Sequence, residues 1–257
     1  MGVPFRSLDE TVIAVGRQKV GKSYWLRRWM WDRTRETNGY MLANDPNLGF
    51  YDDRRSIPSR RYTSLDAARA GLRKYGGSVV HVLDKPITVD QGRDLAIELA
   101  AASMAAAEAA KSKTFAPVFY MVDEAVTSET TTSKKMSPEW LDLIARRRHF
   151  GVALGLTMQS VYFAHRVVTS QATRIEVFPI QDPYDVQGLI RLGLRPDLAK
   201  SLEADPMAGT AQAAPRLQKY EHITIESGVT TAVHSKHLSL HRREIGLTLR
   251  RRQRGAR

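Results

Sequence analysis

The tightest constraint on the fold lies between residues 11 and 31. A short β-branched run, Thr11 to Val15, leads directly into Gly16-Arg17-Gln18-Lys19-Val20-Gly21-Lys22-Ser23. From Lys22 onward apolar residues recur at helical spacing, at Trp25, Leu26, Trp29 and Met30. Glycine, any four residues, then Gly-Lys-Ser or Gly-Lys-Thr arises by chance in roughly one chain in a hundred of this size. Placement between a buried strand and a helix start makes the match far more selective. Gly16 and Gly21 let backbone N–H groups turn inward around an anion without Cβ clashes. Lys22 adds a point charge for β- and γ-phosphates, Ser23 offers a hydroxyl to Mg²⁺, and the helix N-terminus adds its positive end. The segment Gly16 to Tyr24 is therefore expected to cradle the phosphates of ATP. An ordinary strand-turn-helix is the competing reading.

Such a cradle needs a buried strand that ends in an acid. Val118-Phe119-Tyr120-Met121-Val122-Asp123-Glu124 meets that description. Asp123 is expected to hold Mg²⁺ together with Ser23, and Glu124 to orient and deprotonate the attacking water. Two acids at a strand end could instead be a solvated turn. The doubled acid favours hydrolysis that drives work over transfer to a small acceptor. Gln159, after the run Val152 to Met158, is expected to contact both the water and the γ-phosphate. Arg146-Arg147-Arg148 lies just ahead of that run and offers an arginine for a neighbouring subunit's nucleotide. A solvated helix end is the alternative for that triplet.

Charge narrows the partners. Thirty-nine Lys and Arg against 27 acids leave a net +12, so nucleic acid or a phosphate-rich ligand is the first partner to consider. Solubility alone would be the bland explanation. The chain contains no cysteine, which excludes disulfides, thiolate metal sites and thiol catalysis. No apolar run reaches the ~20 residues of a membrane span, and the N-terminus lacks a signal core, so neither span nor secretion is expected.

Apolar runs alternate with helical segments along the chain. Strands are expected at 11–15, 40–43, 78–83, 117–122, 152–156 and 174–180, with helices from Lys22, over 90–111, from Ser137 to about His149, and over 182–192. A closing hairpin is expected at 223–225 and 230–233. Residues 51–61 read as a polar, arginine-rich loop. This order predicts an α/β fold of RecA-like P-loop type: a mainly parallel sheet with helices on both faces and a short C-terminal hairpin. The ATPase domain is expected over 1–240. A basic tail follows at 241–257, rich in arginine.

The series resembles the HerA/FtsK superfamily of DNA-translocating ATPases over about residues 11 to 190. Shared features are the cradle, Asp45-Pro46 after the second strand, the Asp123-Glu124 pair, and Arg148-His149-Phe150-Gly151-Val152 through Gln159. Thr173-Arg174-Ile175 and an acid before a helix, Asp182 or Asp185, complete the set. The family commonly has Thr-Gln-Arg-Pro where this chain has Met158-Gln159-Ser160-Val161, and an Asn at the place of Ser170. Compact size and the lack of appended domains make the chain most similar to the genome-packaging ATPases of tailless viruses with double-jelly-roll capsids. The resemblance implies a ring, a hexamer, that threads double-stranded DNA and is completed at each boundary by Arg148 or Arg174. It also implies a place in the host cytoplasm or at a virion vertex, with capsid vertex proteins as docking partners. Arg54, Arg55, Arg60 and Arg61 are the candidate DNA-gripping residues.

Two other classes stay open: a nucleotide or small-molecule kinase, for which 51–61 is the one lid candidate, and a nucleotide-regulated assembly protein. A cellular or plasmid DNA-transfer ATPase is the nearer alternative. His234, His237 and His241 read as a polar edge rather than a metal site. Trp25 and Trp29 are expected in the core, with Trp31 left open.

Overall fold

The computed structural model describes residues 3–4, 8–45, 57–125, 136–180, 182–199, 202, 221–226 and 229–231. Arg54 and Arg55, the three histidines at 234, 237 and 241, and the tail at 241–257 lie outside the described residues. In chain order the elements are β1 (Val3–Pro4), β2 (Thr11–Val15), α1 (Lys22–Thr37), β3 (Tyr40–Asn44), β4 (Ser59–Tyr62), α2 (Leu65–Tyr75) and β5 (Val80–Leu83). Then come α3 (Val89–Ala109), β6 (Thr114–Phe115), β7 (Val118–Val122), α4 (Pro138–Phe150), β8 (Val152–Met158), α5 (Arg166–Ser170) and β9 (Arg174–Val177). The remainder are α6 (Pro183–Arg191), α7 (Pro196–Ala199), β10 (Ile223–Glu226) and β11 (Val229–Thr231).

Among the described residues one sheet runs in the order β11-β10-β9-β2-β8-β7-β3-β5-β4. From β9 to β4 every pairing is parallel, and β10 adds antiparallel to β9 and to β11. The expected parallel sheet with a closing hairpin is what forms. Its central strands are apolar throughout because both faces are covered. Alternate residues serve opposite faces: Val12, Ala14, Phe119 and Met121 pack with α1, whereas Ile13, Val15, Tyr120 and Val122 pack with α2 to α6. On α1 the buried residues include Trp25, Leu26, Met30 and Trp31. Gly155 of β8 is what lets this helix lie so close, since a Cβ there would stand 2.2 Å from the Met30 sulfur.

Three expectations change. Trp31 is buried with Trp25, while Trp29 is only partly covered, because the face that α1 turns to the sheet is wide enough to include positions 30 and 31. The loop expected over 51–61 instead ends in strand β4, which pairs with β5 from Ser59↔Val80 to Tyr62↔Leu83. An edge strand needs backbone partners on one side only and tolerates charged side chains, so its polar sequence hid it. Helix α2 carries no clear apolar signal in the sequence either. Its N-cap is Ser64, which accepts from Ala67 N at 3.3 Å, and only Ala68, Gly71 and Leu72 are buried.

Helix ends match their sequence signals elsewhere. Ser137 caps α4 by accepting from Trp140 N at 3.4 Å, with Pro138 in the first turn and Gly151 at the far end. Asp182 caps α6 by accepting from Tyr184 N at 2.9 Å.

Candidate nucleotide site

The register of the sheet sets the site. Val15 of β2 pairs with Met158 of β8, and Val122 of β7 pairs with Leu156, so three strands end at one level. Strand β8 lies between the other two. The crevice beyond the carboxyl ends of such strands is where open α/β sheets bind ligands.

The cradle springs from β2. Gly16 N donates to Met158 O at 3.2 Å and Arg17 N to Pro179 O at 3.0 Å, fixing the start of the loop against two neighbouring strands. A Cβ on Gly16 would stand 2.7 Å from the Phe178 Cβ, so no other residue fits here without moving backbone. Gly21 caps α1 at φ 109°, and Lys19 takes φ 61°. Arg17, Gln18 and Lys19 are exposed, Val20 is buried, and Ser23 and Tyr24 are half-buried. The Lys22 ammonium is buried and donates to Arg17 O at 2.8 Å. Burial holds its pKa below the ordinary lysine value, opposed by the charges of Asp123 and Glu124. A cation desolvated in this way gains more from an incoming phosphate than one in water.

The acids of β7 meet this loop directly. Ser23 Oγ donates to Asp123 Oδ1 at 2.6 Å. Thr157 Oγ1 donates to the same oxygen at 2.6 Å and accepts from Glu124 N at 2.8 Å. Gln159 Nε2 donates to Glu124 Oε1 at 3.4 Å. Glu124 itself takes φ 54°, a left-handed conformation that the Thr157 contacts hold in place, with Ala125 N donating to Thr157 O at 2.8 Å. Ser23, Asp123, Glu124, Lys22 and Gln159 are thus brought together in one constellation. Ser23 and Asp123 supply hard oxygen donors side by side, a set that suits Mg²⁺. Thr157 is the member that motif reading misses. Its signal was present: it is the one hydroxyl in VALGLTM, a strand buried from end to end.

The other candidates lie elsewhere. Arg174 is level with Val12, at the amino end of β9. Its guanidinium pairs with Glu176 at 2.5 Å and Glu226 at 2.6 Å and lies over the Trp25 ring. Arg148 pairs at 3.2 Å with Asp9, which precedes β2. Arg148 therefore stands at the amino edge of the sheet, with about 13 Å of strand between Val12 and Gly16, whereas the Arg174 side chain runs along the sheet to Trp25, one turn into α1. Arg60 lies over the Tyr75 ring, and Arg61 is bonded to Asp84 through its Nε at 2.6 Å. Their strand, β4, is the sheet edge farthest from β2 on that side. Asp45 is buried at the end of β3, beside Asp123, whose N donates to Asn44 O at 3.0 Å. Of the two acids near α6, Asp182 is the helix cap and Asp185 is buried against Ser160, whose Oγ donates to it at 2.6 Å.

No protein-family model and no curated protein matches the chain. Solved structures do. The genome packaging NTPase B204 from Sulfolobus turreted icosahedral virus 2, in complex with ATP-gammaS, superposes with a TM-score of 0.62 at 20% identity, over 88% of this chain and 97% of that one. This chain has a P-loop NTPase fold. B204 from Sulfolobus turreted icosahedral virus, described as a DNA-packaging ATPase, gives 0.58 at 19% identity over 88% and 97%. The pCW3 conjugation coupling protein TcpA with ATPgS gives 0.52 at 12% identity, over 88% of this chain and 60% of that one. At these identities the likeness is one of fold, and it agrees with the resemblance drawn from the motifs. No described helix is long and apolar enough to cross a membrane.

Proposed function

We propose that the chain is an ATP-driven double-stranded DNA translocase, a genome-packaging motor of a tailless virus, working as a hexameric ring. The observation that carries this reading is the 2.6 Å hydrogen bond from Ser23 to Asp123, which joins the cradle to the acid pair across 100 positions. Binding and cleaving groups then share one sheet edge, with Glu124 braced by Thr157 and Gln159. The net charge of +12 suits a polyanionic track.

The chemistry follows from these groups. Backbone N–H groups of Gly16 to Gly21 take the β- and γ-phosphates, and Lys22 exchanges Arg17 O for a phosphate oxygen. Ser23 and Asp123 would hold Mg²⁺, which when bound neutralises charge on the phosphate oxygens. Glu124 accepts a proton from water as the water oxygen bonds to the γ-phosphorus and the bond to the bridging oxygen of ADP breaks. Gln159 holds Glu124 and, through its amide, the water. Arg148 stands at the opposite edge from its own cradle, and Arg148 or Arg174 serves the site of the next subunit, as arginine fingers do. Arg54, Arg55 and Arg60 are candidate DNA contacts, whereas Arg61 is held by Asp84, and the basic tail is a docking element for DNA or capsid vertex proteins. The working location is the host cytoplasm or a virion vertex.

The test is ATP hydrolysis with and without long duplex DNA, under conditions where sedimentation shows an oligomer. Stimulation by DNA is expected; an indifferent rate in the assembled form overturns the translocase. Phosphate transfer to nucleoside monophosphates in the same assay would mark a kinase instead.

A further inference from the structure

Most arginines among the described residues are already neutralised. Arg28 pairs with Asp32, Arg33 with Glu10 and Glu36, Arg61 with Asp84, Arg69 with Glu98, Arg146 with Asp142, and Arg195 with Asp197. Arg93, Arg147, Arg148 and Arg174 have acidic partners as well. Arg166 and Arg191 are exposed and have no acidic partner among the described residues. They converge on one groove of about 560 Å³ between α5 and α6, with the hydroxyls of Thr169 and Ser170 beside them and Gly188 in its lining. No acid lines it.

Next to this groove stands a ridge of exposed aromatic rings. Tyr162, Phe163 and Tyr184 are 62%, 52% and 66% exposed, the largest such group among the described residues. Tyr162 meets Phe163 edge-on at 5.4 Å and Tyr184 at 6.0 Å, so the three rings support each other rather than the core. Unpaired guanidiniums, hydroxyls and exposed rings together are the equipment of nucleic-acid binding: charge for phosphates, flat faces for bases and sugars.

The ridge is also tied to the nucleotide site. Asp185, 2% exposed, accepts from Ser160 Oγ at 2.6 Å and from Tyr162 N at 2.9 Å. Ser160 follows Gln159, whose amide holds Glu124, and Asp185 itself follows Tyr184 on α6. One buried carboxylate therefore fixes both ends of the ridge to the residue adjoining the γ-phosphate sensor.

We propose that the α5–α6 groove and the ridge Tyr162, Phe163 and Tyr184 form a nucleic-acid contact surface, with Asp185 as the positioning residue that couples it to Gln159. This rests on the reading of the chain as a DNA motor and names the surface that grips the track. Backbone phosphates sit against Arg166 and Arg191, and the rings pack on bases or sugars. A change at Gln159 on loss of the γ-phosphate moves Ser160, and through Asp185 it moves the grip.

Fluorescence anisotropy with labelled oligonucleotides, duplex in one arm and single-stranded in the other, tests the surface. Arg166→Ala combined with Arg191→Ala should weaken binding at least tenfold and reduce the salt dependence of log K by about two. Phe163→Ala combined with Tyr184→Ala should weaken it by about tenfold. ATP hydrolysis without DNA should stay within about twofold of the unsubstituted chain for both pairs, which also reports that the variants fold. Ser160→Ala and Asp185→Asn should keep DNA affinity while losing the stimulation of hydrolysis by DNA, an uncoupling that simple destabilisation does not produce. If the unsubstituted chain binds DNA and both pairs bind it equally well, the surface is not the contact and this inference fails alone. If the pairs keep DNA affinity but lose the oligomer, the surface joins copies of the chain and the inference fails. If the chain hydrolyses ATP yet neither binds nor responds to either oligonucleotide, the motor reading fails with it.

Discussion

Ser23 Oγ donates to Asp123 Oδ1 at 2.6 Å, joining the first turn of α1 to the end of β7. Asp123 thus carries two hydroxyl donors on one oxygen, from Ser23 and Thr157. An amide in its place presents the same shape with no charge for a divalent ion. Asp123→Asn should lower hydrolysis by at least about a hundredfold while leaving metal-free nucleotide binding within a few-fold. Calorimetric titration with and without Mg²⁺ checks both halves; equal metal dependence in the variant would remove Asp123 from the metal site.

Glu124 sits one residue further, at φ 54°, with its carboxylate within reach of the Gln159 amide. Glu124→Gln keeps the shape and the backbone bond to Thr157 but cannot take a proton. Single-turnover hydrolysis should fall by about 10²–10⁴-fold, and ATP should stay bound with undiminished affinity. A variant that turns over near the normal rate would assign the base elsewhere.

Thr157 is fully buried and bonds both Asp123 and the Glu124 N–H. Thr157→Val preserves volume and deletes the hydroxyl, leaving two buried partners short of a bond at a cost of about 1–3 kcal/mol. In a chain of this size that is a Tm lower by about 2–12 °C. Hydrolysis should fall more than nucleotide affinity does, because the hydroxyl positions the acids and not the cradle. A variant with unchanged kcat would make Thr157 a purely structural residue.

Much of this site was legible because it depends on glycines, a lysine and acids at strand ends, whose roles follow from local geometry. The cradle at Gly16–Ser23 and the pair Asp123–Glu124 needed only a strand before them to be placed. The parallel core was legible for a related reason: strands such as Val118–Val122, buried on both faces, are apolar throughout. Strand β4 was hidden because edge pairing is a backbone property, and SRRY carries no apolar alternation. Thr157 was hidden because its task depends on which strands become neighbours, and the placement of β8 between β2 and β7 is not written in any local run. Whether an arginine is paired is tertiary as well. Arg60 and Arg61 look free in sequence, yet Arg61 is spent on Asp84, whereas Arg166 and Arg191 carried no motif at all.

His81 offers a pH dependence with a defined sign. It is buried between Gly76 O, 2.8 Å from Nε2, and the Tyr62 hydroxyl, 3.2 Å from Nδ1, and burial holds its pKa below the ordinary 6.5. Above that value both folded and unfolded chains hold it neutral, and it contributes no slope. Below it the unfolded chain takes up the proton first, so stability falls as pH drops toward the folded pKa. Glu176 acts oppositely, since burial raises its pKa and its contribution declines as pH rises through the folded value. Comparing His81→Gln with the unsubstituted chain isolates the histidine: the variant should lose the part of the Tm decline that begins below about pH 6.5. Parallel Tm curves for the two proteins would show that His81 does not titrate on unfolding.

Arg148 gives the sharpest test of a ring. It stands with Asp9 at the amino edge, whereas Glu124 stands at the carboxyl edge, so the two belong to different nucleotide sites if subunits pack edge to edge. Arg148→Ala alone should bind ATP normally and hydrolyse it at least about a thousandfold more slowly. Glu124→Gln alone should also be inactive. In an equimolar mixture, an Arg148→Ala subunit supplies an intact Glu124 and its Glu124→Gln neighbour supplies an intact arginine. Random assembly leaves roughly one boundary in four complete, and hydrolysis should reappear in proportion. Arg174→Ala, mixed in the same way, tells which arginine crosses the boundary. Two inactive variants that stay inactive when mixed, despite co-assembly by sedimentation, would mean that Arg148 acts within its own subunit or not at all.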